Sequence, residues 1–189
     1  DISSTQTTTQ VAGIAYKNRE GTSEVLPSLG YTYDALGNIT KVTSGGTTAE
    51  EYVYDSQNQL KSESIHGYRG GILRSSYTYD TYGNIRGISN ILSGLDNETY
   101  VMEYGNSDWK DLLTKVTYTD DSGTVSSGTL EYDWIGNPVK YFNGHKTWEF
   151  TWKYGRQLTN ATDGTQTIVN TYDVDGIRQS KTVGAVEHK

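Results

Sequence analysis

The stretch "YTYDALGNI" at residues 31–39 returns as "YTYDTYGNI" at residues 77–85. Near-identity over nine residues indicates an internal repeat, and a repeat determines the whole fold. Residues two apart in a strand point to the same face, so Tyr31 and Tyr33 share one face of a sheet. Asp34 can then accept backbone N–H groups and Gly37 can take the positive φ that closes a hairpin. The stretch therefore predicts a β-hairpin.

The unit recurs along the chain, with starts near residues 31, 52, 77, 100, 130, 150 and 170. The repeat-motif residues are Tyr31, Tyr33, Asp34, Gly37, Tyr52, Tyr54, Asp55, Tyr77, Tyr79, Asp80, Gly83, Tyr132, Asp133, Gly136, Tyr172, Asp173 and Gly176. Asn58 takes the place of glycine in the second unit, and Met102 and Glu103 take the places of ring and acid in the fourth. Lys153 replaces the acid in the unit that starts at 150. Because a turn residue tolerates such replacement better than a catalytic acid does, these positions indicate structure.

Each unit is long enough for two strands and their turns, so successive hairpins should pair edge to edge. We predict an all-β fold, an antiparallel meander of roughly fourteen strands that forms a curved single-layer sheet or partial spiral shell. Residues 1–10 are a polar N-terminal edge, with disorder or a lone strand as alternatives, and residues 11–189 form the repeat array. One short helical insertion is predicted near 107–114, where Ser107 and Asp108 are candidate N-caps.

Composition limits the classes of function. Hydrophobic residues make up 33% of the chain, and 16 tyrosines and 4 tryptophans accompany only 2 phenylalanines. Tyrosine suits half-wet surfaces, where the ring packs and the hydroxyl finds a partner. The net charge of −7 with no basic cluster indicates no nucleic-acid partner. No stretch is typical of a signal peptide or a membrane span.

The residues give no pattern for an enzyme, a cofactor site or a metal site. There are no cysteines, and His66, His145 and His188 lie at spacings that do not suit metal ligation. No Gly-x-Ser-x-Gly occurs. Residues 173–176, "DVDG", lack the further ligands of a calcium loop. The repeated aspartates are interpreted as turn residues.

One strand carries a stripe of aromatic rings. Trp148, Phe150 and Trp152 alternate along the chain and so share one face. Two interpretations remain open: an exposed platform that stacks on the sugar rings of a cell-wall or surface glycan, and an inner layer of the sheet.

The motif "YxYDxxGNI" resembles that of the YD-repeat, or Rhs-repeat, proteins, and its copies cover residues 31–189. The order of "DWKDLLTKV", "LEYDWIGNPVKYFNG", "FTWKYGRQLTN" and "TYDVDGIRQSKT" is similar to that of wall-associated YD proteins of Gram-positive bacteria. Polymorphic toxins, insecticidal toxin complexes and the teneurins of animals are similar. The resemblance implies hairpins that spiral into a hollow shell around a C-terminal effector. It implies a non-enzymatic module of a secreted or surface-attached bacterial protein, partnered by the rest of the shell and by the effector.

The chain departs from the family in one respect. The family's shell is commonly closed by an Asp-Pro-x-Gly-Arg-like segment that also carries autoproteolysis, but here the only prolines are Pro27 and Pro138 and neither follows Asp. We therefore expect a partial shell without cleavage module or cargo. Because a single-layer sheet leaves its terminal edges unpaired, the isolated chain is expected to curl on itself or to self-associate.

Overall fold

The chain forms strands joined by tight turns. The structure, a computed structural model, describes residues 10–93 and 97–188, and within those ranges it contains seventeen strands and no helix. The predicted all-β class is confirmed. The first strands are β1 (Gly13–Lys17), β2 (Glu24–Tyr33), β3 (Ile39–Ser44), β4 (Thr47–Tyr54), β5 (Leu60–Tyr68), β6 (Gly71–Tyr79), β7 (Ile85–Leu92), β8 (Asn97–Glu103), β9 (Lys115–Thr119) and β10 (Val125–Thr129). They are followed by β11 (Glu131–Tyr132), β12 (Pro138–Phe142), β13 (Thr147–Lys153), β14 (Gln157–Thr162), β15 (Thr167–Tyr172), β16 (Arg178–Val183) and β17 (Val186–His188).

The strands pair in chain order, which confirms the antiparallel meander. β1 to β10 form one sheet and β11 to β17 form a second. The prediction of one sheet is wrong, because the ladder is interrupted at Leu130 between β10 and β11. The Leu130 N–H donates to the carbonyl of Thr114 at 2.9 Å, and its side chain is buried.

By its internal contacts the chain divides into two compact units. The first comprises Asp1–Thr78 with Ile88–Asn97, and the second Tyr79–Gly87 with Glu98–Lys189. The predicted N-terminal edge at residues 1–10 lies, except for Gln10, outside the described residues.

The hydrophobic core of the second unit is small. Val116, Leu130 and Phe142 form a buried cluster. The rings and aliphatic chains that pack against it are half-buried: Tyr100, Met102, Leu113 and Tyr132. A thin core with a tyrosine margin agrees with the low apolar content of the sequence.

The predicted helical insertion at 107–114 is wrong, because these residues form a loop. The Asn106 side-chain oxygen accepts the N–H groups of Asp108 and Trp109, each at 2.9 Å, and a single turn links Leu112 N–H to the Trp109 carbonyl at 3.2 Å. The loop closes where Thr114 N–H donates to the Glu103 carbonyl at 2.8 Å.

The spacing that suggested a helix has another cause. The ring of Trp109 lies against Gly136 of a neighbouring turn, and Leu113 packs on the core cluster. These apolar side chains therefore have separate partners and do not form one helical face. The described part of the chain contains no helix with the length and apolar character of a membrane span.

Candidate functional site

The turn that follows β2 shows what the repeated acid of the motif does. The Asp34 side-chain oxygen Oδ1 accepts the N–H groups of Leu36 and Asn38, each at 2.9 Å. Gly37 has φ +91° and donates its N–H to the Asp34 carbonyl at 3.2 Å. The strand register shifts next to this turn. This is a type I turn closed by a glycine bulge, which joins two antiparallel strands.

Six turns share this geometry. In each, an aspartate Oδ1 accepts the N–H groups two and four residues later at 2.8–3.1 Å. The residue three positions after the acid has φ between 67° and 91°. The six acids are Asp34, Asp55, Asp80, Asp120, Asp133 and Asp173. Each of these carboxylates therefore accepts hydrogen bonds from the backbone of its own turn.

Asp120 belongs to none of the repeat units found in the sequence. It turns the chain between β9 and β10, and its partner at positive φ is Gly123. The ring pair of the motif does not mark it, because the two ring positions before the acid are occupied by Thr117 and Thr119. The only sequence signal for this turn was the three-residue spacing between Asp120 and Gly123.

An asparagine completes three of these turns. Asn38, Asn84 and Asn137 donate their side-chain N–H to the second carboxylate oxygen of the turn acid at 2.8–3.0 Å. This bond explains why asparagine follows glycine in the motif. In the turn of Asp173 the side chain of Gln179 takes that place at 2.7 Å.

These bonds stabilise the charged form of the acids. Hydrogen bonds from the Asn38 side chain and backbone hold the pKa of Asp34 below its ordinary value. Hydrogen bonds from the Ser122 hydroxyl and the Thr124 backbone likewise lower the pKa of Asp120. Burial opposes this effect at Asp133, but the backbone and side-chain bonds from Asn137 outweigh it and the pKa is lowered.

Acid should therefore weaken the hairpins. The pKa values of Asp34, Asp80, Asp120 and Asp133 are lower in the folded chain. The contribution of these four acids to stability is therefore complete above about pH 4 and is lost as pH falls through the folded pKa. The same sign holds for Asp163, whose pKa is lowered to about 2 by Gln166 and Thr165 backbone bonds and the Lys146 ammonium. We expect the urea midpoint to fall steeply between about pH 4 and pH 2. A midpoint that stays constant over this range would contradict the turn assignment.

A second set of bonds links six of the units to the part of the chain before them. The second ring of a unit donates a hydrogen bond to a backbone carbonyl of the preceding unit. The six bonds, called here ring-to-carbonyl bonds, are Tyr33 to Val11 (2.8 Å), Tyr54 to Ile39 (3.0 Å), Tyr104 to Ile85 (3.0 Å), Tyr132 to Leu113 (2.9 Å), Trp152 to Pro138 (2.7 Å) and Tyr172 to Leu158 (3.0 Å).

Three of the six acceptors share one position in the repeat. Ile39, Ile85 and Pro138 each come directly after the asparagine that ends the preceding turn. In these three bonds the ring therefore contacts the preceding hairpin where its return strand begins. This contact is between residues 14 to 22 positions apart, so a single unit cannot make it alone.

The fourth unit makes the same bond with a different residue. Tyr104, and not Met102, donates to Ile85, and Met102 packs on the core cluster instead. The oxygen of Asn106 accepts the turn N–H groups, so it replaces the acid that the sequence placed at Glu103. The sequence interpretation of this unit was therefore wrong by two positions for the ring and by three for the acid, because the loop after β8 shifts the motif.

The first ring of a unit contacts carboxylates. The hydroxyl of Tyr77 donates to Glu63 at 2.7 Å, that of Tyr100 to Glu98 at 3.2 Å, and that of Tyr52 to Glu50. Burial and the nearby Glu98 carboxylate raise the pKa of Tyr100 to about 12. The motif rings Tyr31 and Tyr79 are half-buried. The hydroxyls of Tyr52, Tyr77 and Tyr100 therefore act as donors to carboxylates.

The aromatic stripe lies on β13. Trp148, Phe150 and Trp152 are half-buried and alternate with exposed residues, so the three rings share one face. Trp152 uses its indole N–H in a ring-to-carbonyl bond. The glycan role of this stripe stays a prediction. The more exposed rings are at turns: Trp134, Tyr154 and Tyr82 are 94%, 89% and 81% exposed.

The histidines make local contacts. His66 lies 3.3 Å from a Glu51 oxygen, and the His145 ring meets Tyr118 edge-on at 4.4 Å between centroids. Within residues 10–93 and 97–188, no group of three or more histidines and acids could hold a metal ion.

A matched pair of glycines separates turn strain from packing. Gly136 and Gly123 occupy the same turn position, with φ +85° and +80°. A Cβ at Gly136 would lie 2.7 Å from the Trp109 ring, whereas a Cβ at Gly123 would meet nothing within 4 Å. We expect Gly123→Ala to cost about 1 kcal/mol, since a side chain at positive φ is strained. Gly136→Ala should cost at least about 1 kcal/mol more, because the ring must move. Equal losses in urea denaturation would show that the Trp109 contact is absent.

No family model and no curated protein matches this chain. Among solved structures, it is similar to a chain in the crystal structure of TcdB2-TccC3-Cdc42, with a TM-score of 0.52 and 16% sequence identity over 93% of this chain. The match covers 11% of that longer chain. The likeness shows a shared fold.

Two further solved structures match less well. The Photorhabdus luminescens Tc holotoxin pore gives a TM-score of 0.40 at 13% identity, and covers 89% of this chain and 12% of that chain. The crystal structure of TcdB2-TccC3-TEV gives 0.42 at 13% identity, with 92% and 11% covered.

Proposed function

We propose that this chain is a non-enzymatic structural module, a segment of a hollow β-shell in a longer bacterial protein. The shell would enclose or present a C-terminal effector, and the protein would be secreted or attached to the cell surface. The rest of the shell and the effector are then the partners of this chain.

The repeated side chains form their hydrogen bonds with the backbone of the array, and this observation carries the proposal. The turn acids bind the N–H groups of their own turns. The second rings bind a carbonyl of the preceding hairpin. An active site needs its groups at one place and aimed at a substrate. Here the acid turns and the ring bonds each recur six times along the described residues, and both bind backbone. This arrangement suits a β-sheet that can be extended by adding hairpin units.

Two further observations support the proposal. The fold likeness to part of the chain in the TcdB2-TccC3-Cdc42 structure shows that an array of this kind can be one-tenth of a much larger chain. The sequence motif resembles that of YD-repeat proteins, whose hairpins form shells. Self-association of the isolated chain stays a prediction, as does the attachment of the protein to a cell wall.

Limited proteolysis of the full-length protein that contains this chain tests the proposal. Proteinase K should leave the region C-terminal to the array intact until the urea concentration at which the array unfolds. The variant Asn137→Ala, which weakens a buried turn, should lose protection at lower urea, and Asn84→Ala should shift it less. If the C-terminal region is cleaved as fast in native buffer as in denaturing urea, the chain does not enclose it.

A further inference from the structure

A small pocket on β16 and β17 is lined mainly by basic side chains. Its volume is about 200 Å³, and its lining consists of Arg178, Gln179, Ser180, Lys181 and His188. Two permanent cations and an imidazole thus lie close together in a chain whose net charge is −7. We call this the basic pocket.

A β-bulge places the two cations on one face of the sheet. Arg178 pairs with Tyr172 of β15. Lys181 pairs with Asn170, and the bulge makes Gln179 an extra residue in β16. Residues three apart in a regular strand point to opposite faces. Because Tyr172 and Asn170 are two apart and share a face, the bulge brings Arg178 and Lys181 to that same face.

The charge on this face is not neutralised by the neighbouring strand. His188 pairs with Lys181 and adds a third basic group to the face. Glu187, the acid of β17, pairs with Thr182 and therefore lies on the other face. Within residues 10–93 and 97–188, no ion pair joins Arg178 or Lys181 to an acid.

The turn acid before β16 is already occupied. The Asp173 oxygen Oδ1 accepts the N–H groups of Asp175 and Ile177 at 3.0 and 2.9 Å. Its second oxygen accepts the side-chain N–H of Gln179 at 2.7 Å. This bond also anchors the residue of the bulge, so the backbone between the two cations is held in place before any ligand binds.

The fold does not require a cation at the position of Arg178. In four other hairpins an uncharged residue lies across the bulge from the second ring, namely Ile39, Leu60, Pro138 and Leu158. The same bulge therefore forms with an apolar side chain. An arginine in this one hairpin indicates a role other than closing the turn.

The charge of the basic pocket matches a phosphate. A phosphate monoester carries about −1.5 to −2 charges at pH 7 and has three strong acceptor oxygens. A guanidinium binds two such oxygens with its planar fork, and an ammonium adds further donors as a point charge. A carboxylate has one negative charge and two oxygens, so it would leave one of the two cations without a partner.

We propose that the basic pocket binds a phosphate dianion, as the free ion or as a monoester, with Arg178 and Lys181 as its ligands. The imidazole of His188 supplies a further donor at the edge of the pocket. The proposal does not depend on the shell function.

A ¹⁵N NMR titration of the 189-residue chain tests the proposal. Inorganic phosphate, O-phosphoserine and glutamate, the carboxylate control, are added separately at constant ionic strength. We expect both phosphates to shift the amides of residues 178–181 with a Kd of about 1 mM or lower, the affinity of roughly two charge-assisted hydrogen bonds. Arg178→Gln and Lys181→Gln should each raise the Kd at least about tenfold. The matched control Lys153→Gln removes an exposed cation outside the pocket and should leave the Kd unchanged.

Several results would overturn the proposal. They are no shift with either phosphate, equal affinity for glutamate, an unchanged Kd in Arg178→Gln, and an equal loss in Lys153→Gln. Binding of either phosphate supports it, and the comparison of the two shows whether the site takes the free ion or the ester. Because Arg178 is exposed, its variant should keep the wild-type melting temperature, which distinguishes loss of binding from loss of fold. The proteolysis of the full-length protein is unaffected by these outcomes, so the two proposals can fail separately.

Discussion

Replacing Phe142 by alanine is expected to destabilise the second unit by about 3–5 kcal/mol, the usual cost of removing a buried phenylalanine ring. Phe142 is 6% exposed and packs with Val116 and Leu130 in the core cluster of that unit. The ring also covers Gly128, where a Cβ would lie only 2.5 Å from Phe142 atoms. With so few buried residues, neighbouring side chains cannot fill the cavity, so the loss should reach the upper part of the range.

Urea denaturation followed by tryptophan fluorescence measures this loss. The control is Tyr82→Ala in the same unit, which removes a ring that is 81% exposed at a turn. Its effect should stay within about 0.5 kcal/mol. If Phe142→Ala costs less than about 1 kcal/mol, the cluster is not the core of the unit.

The variant Asn137→Ala should cost about 2–3 kcal/mol, because it leaves buried polar groups without partners. Asn137 is 2% exposed. Its side-chain N–H groups donate to Asp133 at 2.8 Å and to the Gly155 carbonyl at 2.6 Å, and its oxygen accepts from Arg156 at 3.2 Å. One asparagine thus joins two successive turns.

Asn84→Ala is the matched control for this variant. Asn84 makes the same bond to its turn acid, Asp80, at 3.0 Å, but is less buried. We expect a loss of about 1 kcal/mol, the value of one hydrogen bond. Equal effects of the two variants in urea denaturation would mean that the bonds from Asn137 to Gly155 and Arg156 add nothing.

Much of the fold follows from local chemistry that the sequence displays. An acid followed three residues later by glycine or asparagine predicts a hairpin turn, because the acid accepts the turn N–H groups and the later residue takes positive φ. This is why Asp34 and Asp80 were found from the sequence. Asp120 was missed because no ring pair marks it, although its turn obeys the same rule.

Features that depend on tertiary register could not be predicted. The sequence places Tyr54 and Tyr132 on strands, but the carbonyl that each hydroxyl reaches depends on how neighbouring hairpins align. The loop at 107–114 imitates a helix because its apolar residues pack on separate partners. Trp109 and Trp134 line one groove although they lie 25 positions apart, and no sequence period connects them.

The ring-to-carbonyl bonds are the central claim, and removal of hydroxyls tests it most directly. One protein replaces Tyr33, Tyr54, Tyr104, Tyr132 and Tyr172 by phenylalanine. Its control replaces five exposed tyrosines, Tyr16, Tyr68, Tyr82, Tyr141 and Tyr154, so both proteins lose five hydroxyls and no ring.

The first protein should lose about 1 kcal/mol for each bond, or about 5 kcal/mol in all, in the free energy of unfolding by urea. The control should remain within about 1 kcal/mol of the wild type, because an exposed hydroxyl is hydrated in both the folded and the unfolded chain. Equal stability of the two five-fold variants would contradict the account, since it would show that the tyrosine hydroxyls do not hold successive hairpins together.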